Sequence, residues 1–170
     1  MTVSAAPDRR AVRHHPAGTW PEARTGGTVT LACAERHRRR VRLIDDAGTP
    51  FLLDLPAAVA MRDGDGLDLG DGGFIRVVAR AEPVLDIACS DTRHAARMAW
   101  HLGNRHLPVE VLTDGLTLRI ADDHVIADMA RGLGGILTRH EAPFSPEGGA
   151  YGGGHGHGHG HSHGHGHHHD

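Results

Sequence analysis

The sequence predicts an α+β protein in which a small all-β domain precedes a domain of mixed strands and helices and a disordered tail. Three observations lead to this prediction. Residues 26–81 contain short strand-like runs between Gly- and Asp-rich turns, and residues 82–147 alternate between apolar periods of 2 and 3.6. Residues 148–170 are mostly Gly and His, so they have almost no apolar side chains to offset the loss of chain entropy.

The composition indicates a cytoplasmic protein that binds neither nucleic acid nor membranes. The formal net charge is −3 with neutral histidines, whereas nucleic-acid affinity needs a clustered basic excess. Cys33 and Cys89 are far apart, so we read them as reduced thiols rather than as a disulfide framework. No run of about 18 apolar residues is present, and no apolar stretch follows the first arginines to suggest secretion.

The predicted N-terminal domain is preceded by a segment without periodicity. Residues 1–25 contain three prolines and show neither the strand nor the helix period, so we expect a poorly ordered extension in which His14 and His15 are solvated. Hairpin connections are suggested by the clusters DDAGTP, RDGDG and GDGG. The strands between them are predicted at residues 28–33, 41–45, 51–55, 67–69 and 74–79.

Two features of this domain resemble binding motifs. The basic run RHRRR at residues 36–40 lacks aromatic neighbours, so we interpret it as a solvated face or a strand edge. The segment DGDGLDLGD at residues 63–71 does not fit a calcium loop, because Leu67 and Phe74 stand where that loop needs acidic ligands. We therefore interpret it as turns.

The second domain is predicted to follow a ferredoxin-like order. A strand at residues 84–89 precedes a helix capped by Ser90 or Asp91, and a second helix, capped by Asp122 or Asp123, ends at glycines 134–135. The remaining strands are predicted at residues 107–112, 116–121 and 136–139. The order is β-α-β-β-α-β, as in ferredoxin-like folds.

The corner WHLGNRHLP, residues 100–108, carries the histidine that we single out. Gly103 and Asn104 tolerate left-handed backbone at a helix end, and Pro108 prevents the helix from resuming. His106 lies just past the loop within this corner, although the pattern alone favours a half-buried, hydrogen-bonded histidine at that position. His101 is expected to be structural because a cation on the last turn complements the helix dipole.

Further candidate ligands lie on the second helix and in the tail. His124 occupies the first helical turn, where positive charge is disfavoured, so it stays neutral or binds an ion. The tail holds nine histidines in its last sixteen residues and could bind several ions. A purification tag is the alternative, but the longest histidine run is three. The tail candidates are His155, His157, His159, His161, His163, His165, His167, His168 and His169.

No catalytic constellation is visible, so we expect a protein that is not an enzyme. His101 and His106 are five positions apart with no glutamate between them, unlike the HExxH pattern. No nucleophile–base pattern surrounds Cys89, and no GxxxxGK[ST] loop occurs. Imidazole suits nickel, copper and zinc, which favours metal binding over catalysis.

Three segments resemble the UreE family of urease accessory nickel metallochaperones: HLGNRHLP at residues 101–108, DHVIADM at 123–129, and APFSPEGGAYGGG before the His-rich terminus. The resemblance covers roughly residue 40 to the C-terminus. It implies a homodimer with a peptide-binding-like β domain and a ferredoxin-like metal-binding domain. It also implies that His106 is the metal ligand at the dimer interface, where a two-fold axis presents it twice. His124 matches a peripheral metal-binding histidine, but Asp122 stands where those relatives carry a second histidine.

The resemblance further implies delivery of nickel to urease through a complex with the GTPase UreG and the urease apoprotein with its other accessory proteins. Zinc or copper could take nickel's place, since imidazole sites follow the Irving–Williams order. The alternative is a histidine-rich nickel or zinc storage or buffering protein without a dedicated acceptor. In that case the tail would be essential and His106 dispensable.

Overall fold

The computed structural model describes residues 9–148, which form two domains of strands with two α-helices in the second. The prediction of an α+β protein is confirmed. The first domain contains β1 (Arg10–Ala11), β2 (Arg13–His15), β3 (Thr25–Leu31), β4 (His37–Ile44), β5 (Pro50–Ala60), β6 (Gly66–Asp68) and β7 (Phe74–Ala79). The second contains β8 (Ala81–Ala88), α1 (Thr92–Gly103), β9 (Glu110–Val111), β10 (Thr117–Ala121), α2 (His124–Gly132) and β11 (Ile136–Pro143).

The first domain consists of two sheets that share one apolar core. One sheet has the strand order β1-β5-β4 and the other β2-β6-β7-β3. Alternate residues point inward, and the side chains of Val29, Leu53, Leu67, Ile75 and Val77 are among those fully buried between the sheets. Two of the predicted turn clusters form hairpins, β4–β5 and β6–β7. The cluster RDGDG instead joins strands of different sheets.

The prediction that residues 1–25 are poorly ordered is wrong from Arg9 onward. Strand β1 pairs in parallel with β5, and β2 pairs antiparallel with β6. Trp20 is only 6% exposed, stacks on Phe74 at 5.2 Å between ring centroids, and donates a hydrogen bond from Nε1 to the Gly64 carbonyl. Strands of two and three residues are too short to show a period in the sequence.

The expectation that His14 and His15 are solvated is also wrong. His14 Nε2 lies 2.6 Å from Oδ2 of Asp65, a residue that is only 4% exposed. His15 packs edge-on against the Phe74 ring at 5.7 Å. Both histidines are therefore parts of the β2–β6 wall of the domain.

The second domain has the strand order β11-β8-β10-β9 with every neighbouring pair antiparallel. Combined with the chain order β-α-β-β-α-β, this is the ferredoxin-like arrangement. Both helices cover one face of the sheet. Buried side chains of α1 and α2 (Ala95, Met98, Leu102, Ile126, Ala127 and Ala130) contact Leu85, Ile87, Leu118 and Ile120 of the strands.

The helix starts follow the predicted caps. Asp91 accepts a hydrogen bond from the backbone N–H of His94, and Asp123 accepts two, from Val125 and Ile126. These are the acceptors that an exposed first turn needs. Neither helix within residues 9–148 is long and apolar enough to cross a membrane.

Arg36 joins the two domains. It begins the basic run that was interpreted as solvated, but it is only 3% exposed. Its guanidinium donates to the Met61 carbonyl at 3.1 Å, to Ser145 Oγ at 3.2 Å, and to the Phe144 carbonyl. The interpretation of the run is therefore wrong for Arg36, because the chain after β11 returns to cover it, and no periodicity reveals that contact.

Arg36→Ala is expected to lower the free energy of unfolding by about 2–4 kcal/mol, because buried acceptors in both domains lose their donor. Arg38→Ala, two residues away on the exposed strand, is the control and is expected to change it by about 0.5 kcal/mol or less. Urea denaturation of both variants measures the difference. Equal effects of the two substitutions would contradict this account of the domain junction.

Candidate functional site

Helix α1 ends in a Schellman motif that places His106 in the left-handed region. The backbone N–H of Leu107 donates to the Leu102 carbonyl at 3.3 Å, and that of His106 donates to the Gly103 carbonyl at 2.9 Å. These are the 6→1 and 5→2 hydrogen bonds of the motif, with His106 at the position that glycine usually occupies. Its φ is +57°, and it is the one non-glycine residue with positive φ in residues 9–148.

The predicted position of the left-handed residue is therefore wrong. We placed it at Gly103 or Asn104, but Asn104 is right-handed helical, with φ −64° and ψ −16°. The apolar pattern explains the shift. Leu102 is fully buried and Leu107 packs on the same core cluster, so the apolar contact that accompanies the motif fixes where the helix stops. Left-handed backbone then falls on His106.

The His106 side chain is exposed and makes no hydrogen bond to any residue of the described chain. The half-buried, hydrogen-bonded histidine that the pattern favoured is thus not what the fold presents. A left-handed L-residue costs about 1–2 kcal/mol. An unfavourable backbone conformation that carries a free imidazole is a reason to suspect a function at this residue.

The same corner carries an exposed aromatic ring. Trp100, on the last turn of α1, is 65% exposed, and its ring meets that of His101 edge-on at 4.9 Å. His101 is half-buried, and its carbonyl accepts a hydrogen bond from Arg105 at 3.0 Å. Trp100 thus places a large exposed ring on the last helical turn, ahead of His106 in the chain.

His124 is exposed at the first position of α2, but the carboxylates beside it are engaged. Asp122 accepts a hydrogen bond from Arg139 Nε at 2.8 Å, and Asp123 caps the helix. Across residues 9–148 no three His, Cys, Asp or Glu side chains lie close enough together to hold a metal ion. A single copy of this part of the chain therefore does not assemble a complete site.

Other histidines of the second domain serve the fold. His94 links the two helices, because its Nδ1 lies 3.2 Å from Ser90 Oγ and its Nε2 3.0 Å from the Leu133 carbonyl. His140 Nε2 lies 2.8 Å from Asp86 Oδ2 on the open face of the sheet. His106 differs from both in lacking a partner within the described residues.

The two cysteines, read from the sequence as reduced thiols, form no disulfide within the described residues. Cys33 and Cys89 are both free, and Cys89 is buried. Burial raises the pKa of each thiol, so both favour the protonated form. The candidate ligands of the tail, His155 to His169, lie outside the described residues.

The fold and this corner define a two-domain protein with a β-rich first domain and a ferredoxin-like second domain. Family models match both parts: the N-terminal domain of the UreE urease accessory protein at residues 9–80 and its C-terminal domain at residues 82–170. The chain belongs to the UreE family of urease accessory proteins, as the resemblance in the sequence predicted.

Individual relatives agree with the family models. The urease accessory proteins UreE of Rhodopseudomonas palustris strains HaA2 and BisB18 are each 52% identical, over 84% and 78% of this chain. The chain spans 65% and 61% of the length of these two relatives. UreE of Rhodobacter capsulatus is 43% identical over 85% of this chain and 88% of its own length.

Backbone strain at His106 predicts an unusual order of stability. His106→Gly is expected to be more stable than His106→Ala by about 1 kcal/mol, because only glycine adopts positive φ without steric cost. At His101, inside the helix, the same pair of substitutions should show the opposite order by about 1 kcal/mol. Urea denaturation of the four variants tests both orders. If Ala is the more stable residue at both positions, the left-handed conformation of His106 is refuted.

Asp86 predicts a pH dependence of stability. The Arg119 guanidinium donates hydrogen bonds to both Asp86 oxygens, at 2.7 and 2.9 Å, and holds the pKa of this carboxyl below its usual value; His140 acts in the same direction. A lowered folded-state pKa stabilises the fold above the unfolded-state pKa, and this contribution is lost as the pH falls through the folded-state pKa.

Asp86→Asn is therefore expected to cost about 1–3 kcal/mol at neutral pH and much less near pH 2. Asp128→Asn is the control, since Asp128 pairs with Arg131 on an exposed helix surface and should cost about 0.5 kcal/mol or less at any pH. Urea denaturation between about pH 2 and pH 7 measures both. A cost of Asp86→Asn that does not change with pH would contradict the assignment of this pH dependence to the lowered pKa of Asp86.

Proposed function

We propose that this protein is a nickel chaperone that delivers the ion for assembly of the urease active site and catalyses no reaction itself. The observation that carries the proposal is the His106 imidazole, exposed and without a hydrogen-bond partner in the described chain, on backbone fixed by two hydrogen bonds. The relatives at about 50% identity are named as urease accessory proteins, which supports a role in urease maturation.

A homodimer would complete the site. The described part of one chain has no cluster of three ligands, but a two-fold axis through the corner would bring two His106 side chains to one ion. The exposed Trp100 ring at the same corner supports burial in an interface, where aromatic residues are enriched. His106 is then the transfer ligand.

Two imidazoles leave most coordination positions of nickel open, and this incompleteness suits transfer. Tail histidines, His155 to His169, or ligands of a receiving protein would fill the open positions. The receiving partners we propose are the urease GTPase UreG and the urease apoprotein with its accessory complex, in the cytoplasm. Zinc or copper would also bind imidazole, so the acceptor rather than His106 selects nickel.

His124 is proposed as a weaker, second metal ligand. Its candidate partner Asp122 is already bonded to Arg139, so an ion there would compete with an ion pair. This competition makes the second site subordinate to the corner.

Histidine-rich storage is the second candidate function, favoured by the nine histidines in the last sixteen residues. A storage protein would hold nickel or zinc in the tail and hand it to no dedicated acceptor. The two functions differ in where the specific ion binds.

A nickel titration of the protein truncated after Gly148 separates them. We expect about one tightly bound ion per dimer, lost in His106→Ala and retained in the control His124→Ala, which should remove only weaker binding. Isothermal titration calorimetry measures binding, and sedimentation measures the oligomeric state. If the truncated protein binds no nickel, or binds it equally well without His106, the tail holds the metal and storage is the better account.

A further inference from the structure

Strand β4 carries exposed arginines that the proposed nickel site does not use. Because side chains alternate along a strand, Arg40 and Arg42 point away from the core that Val41 and Leu43 contact. Arg38 lies beyond a shift in the β4–β5 register and is also exposed. We call Arg38, Arg40 and Arg42 with the backbone of β4 the arginine edge. Its only carboxylate partner among residues 9–148 is Asp54, which Arg40 shares with Arg10. Positive charge on Arg38 and Arg42 is therefore uncompensated within those residues.

The backbone of this strand is open on one side. In the sheet β1-β5-β4, strand β4 pairs with β5 alone. The backbone N–H of Leu52 in β5 donates to the Arg9 carbonyl at 2.8 Å, on the side of β1. Leu52 therefore makes no backbone hydrogen bond to Arg42, the residue opposite it on β4, and the two form a non-hydrogen-bonded pair. The N–H and C=O of Arg42 consequently point away from the sheet.

Because backbone N–H and C=O groups alternate in direction along a strand, other residues of β4 also direct theirs to the open side. With a period of two, Arg40 and Ile44 direct their N–H and C=O groups outward like Arg42. The inner face also ends at this edge. Val41 and Leu43 pack against the core cluster but are only partly buried. An added strand would therefore gain backbone hydrogen bonds and apolar contacts together.

We propose that the arginine edge binds an extended segment of a partner protein as an added antiparallel strand, in a sequence that alternates acidic and apolar residues. Residues opposite each other on neighbouring strands share a face of the sheet, so carboxylates would lie beside Arg40 and Arg42 and apolar side chains would cover Val41 and Leu43. Guanidinium groups bind carboxylates through paired hydrogen bonds. This is recognition by strand addition, with main-chain bonds for affinity and side chains for specificity.

Other occupants fit the surface less well. A single-stranded nucleic acid needs aromatic side chains for base stacking, and β4 has none. A second copy of β4 would bring arginine against arginine, which like-charge repulsion opposes. The arginines therefore exclude self-pairing at an open edge while leaving it available to an acidic strand.

This proposal does not depend on nickel binding. The arginine edge belongs to the first domain and His106 to the second, so each can fail while the other stands.

Peptide binding to the full-length protein is the first test. The probe is a fluorescein-labelled peptide DVEVDVEV, and its binding is measured by fluorescence anisotropy at pH 8 with EDTA to remove metal ions. The double substitution Arg40→Glu and Arg42→Glu is expected to weaken binding at least tenfold. Arg93→Glu with Arg97→Glu, the same charge change on the exposed face of α1, is the matched control and should change it less than twofold.

Backbone methylation of the peptide tests strand pairing without altering the protein. In an antiparallel strand opposite β4, the acidic residues that face Arg40 and Arg42 direct their N–H groups toward the arginine edge. N-methylation at the acidic positions should abolish binding, whereas N-methylation at the valines, whose N–H groups point outward, should preserve it. Equal effects of the two methylation patterns would overturn the proposal, because charge attraction alone would then explain binding.

Two further outcomes would also overturn the proposal. A peptide of the same composition in which the acidic and apolar residues are grouped in two blocks, DEDEVVVV, should bind at least tenfold more weakly than the alternating peptide. Equal binding would mean that only net charge is recognised. A single-stranded oligonucleotide that binds as tightly as DVEVDVEV, with the same loss in the double-glutamate variant, would make the arginine edge a general polyanion surface.

Discussion

The ladder between β8 and β11 is the constraint on which most of this molecule depends. Eight register pairs run from Ala81 with Pro143 to Ala88 with Ile136. One end of the ladder delivers the following residues Phe144 and Ser145 to Arg36 and so fixes the domain junction. At the other end, a Cβ on Gly135 would lie 2.7 Å from the Ile87 side chain, which leaves room there only for glycine.

The candidate site is built on a helix end that the core determines. The burial of Leu102 and the packing of Leu107 set where α1 stops, and the unfavourable backbone conformation falls on His106 as a result. Hydrogen bonds fix the backbone at His106, and its imidazole is exposed without a side-chain partner among the described residues. His94, His140 and His14, by contrast, are each fixed by side-chain or carbonyl partners. The proposed role of His106 rests on this contrast together with its left-handed backbone, which no other non-glycine residue of 9–148 shares.

Sequence patterns predicted the second domain well because its signals are local. The caps Asp91 and Asp123 and the apolar helix faces lie within a few residues of the features they specify. Strand β9 is shorter than expected, at two residues, because Pro108 and the corner occupy part of the run. The resemblance to UreE supplied the family, which the comparisons show, and His106 as a ligand stays a proposal.

What the sequence did not reveal depends on distant contacts. Strands β1 and β2 form only because β5 and β6, some forty to fifty residues later, offer backbone partners. The sequence presents Arg36 as one of several surface arginines, but residues more than a hundred positions away in the chain cover it in the fold. The left-handed residue was misplaced because propensity favoured Gly103 and Asn104, whereas packing of two leucines decided the outcome.

The fixed corner also has a kinetic consequence for the proposed transfer. A donor atom on backbone already held by hydrogen bonds loses little conformational freedom when it binds an ion. In the proposed dimer the ion keeps exchangeable water at its other positions, so an incoming ligand can enter before His106 leaves. Under this proposal, release would proceed by associative exchange, with the ion bonded to both proteins at the midpoint and never free in solution. The geometry of one helix end would then set the pathway of exchange as well as the proposed place of binding.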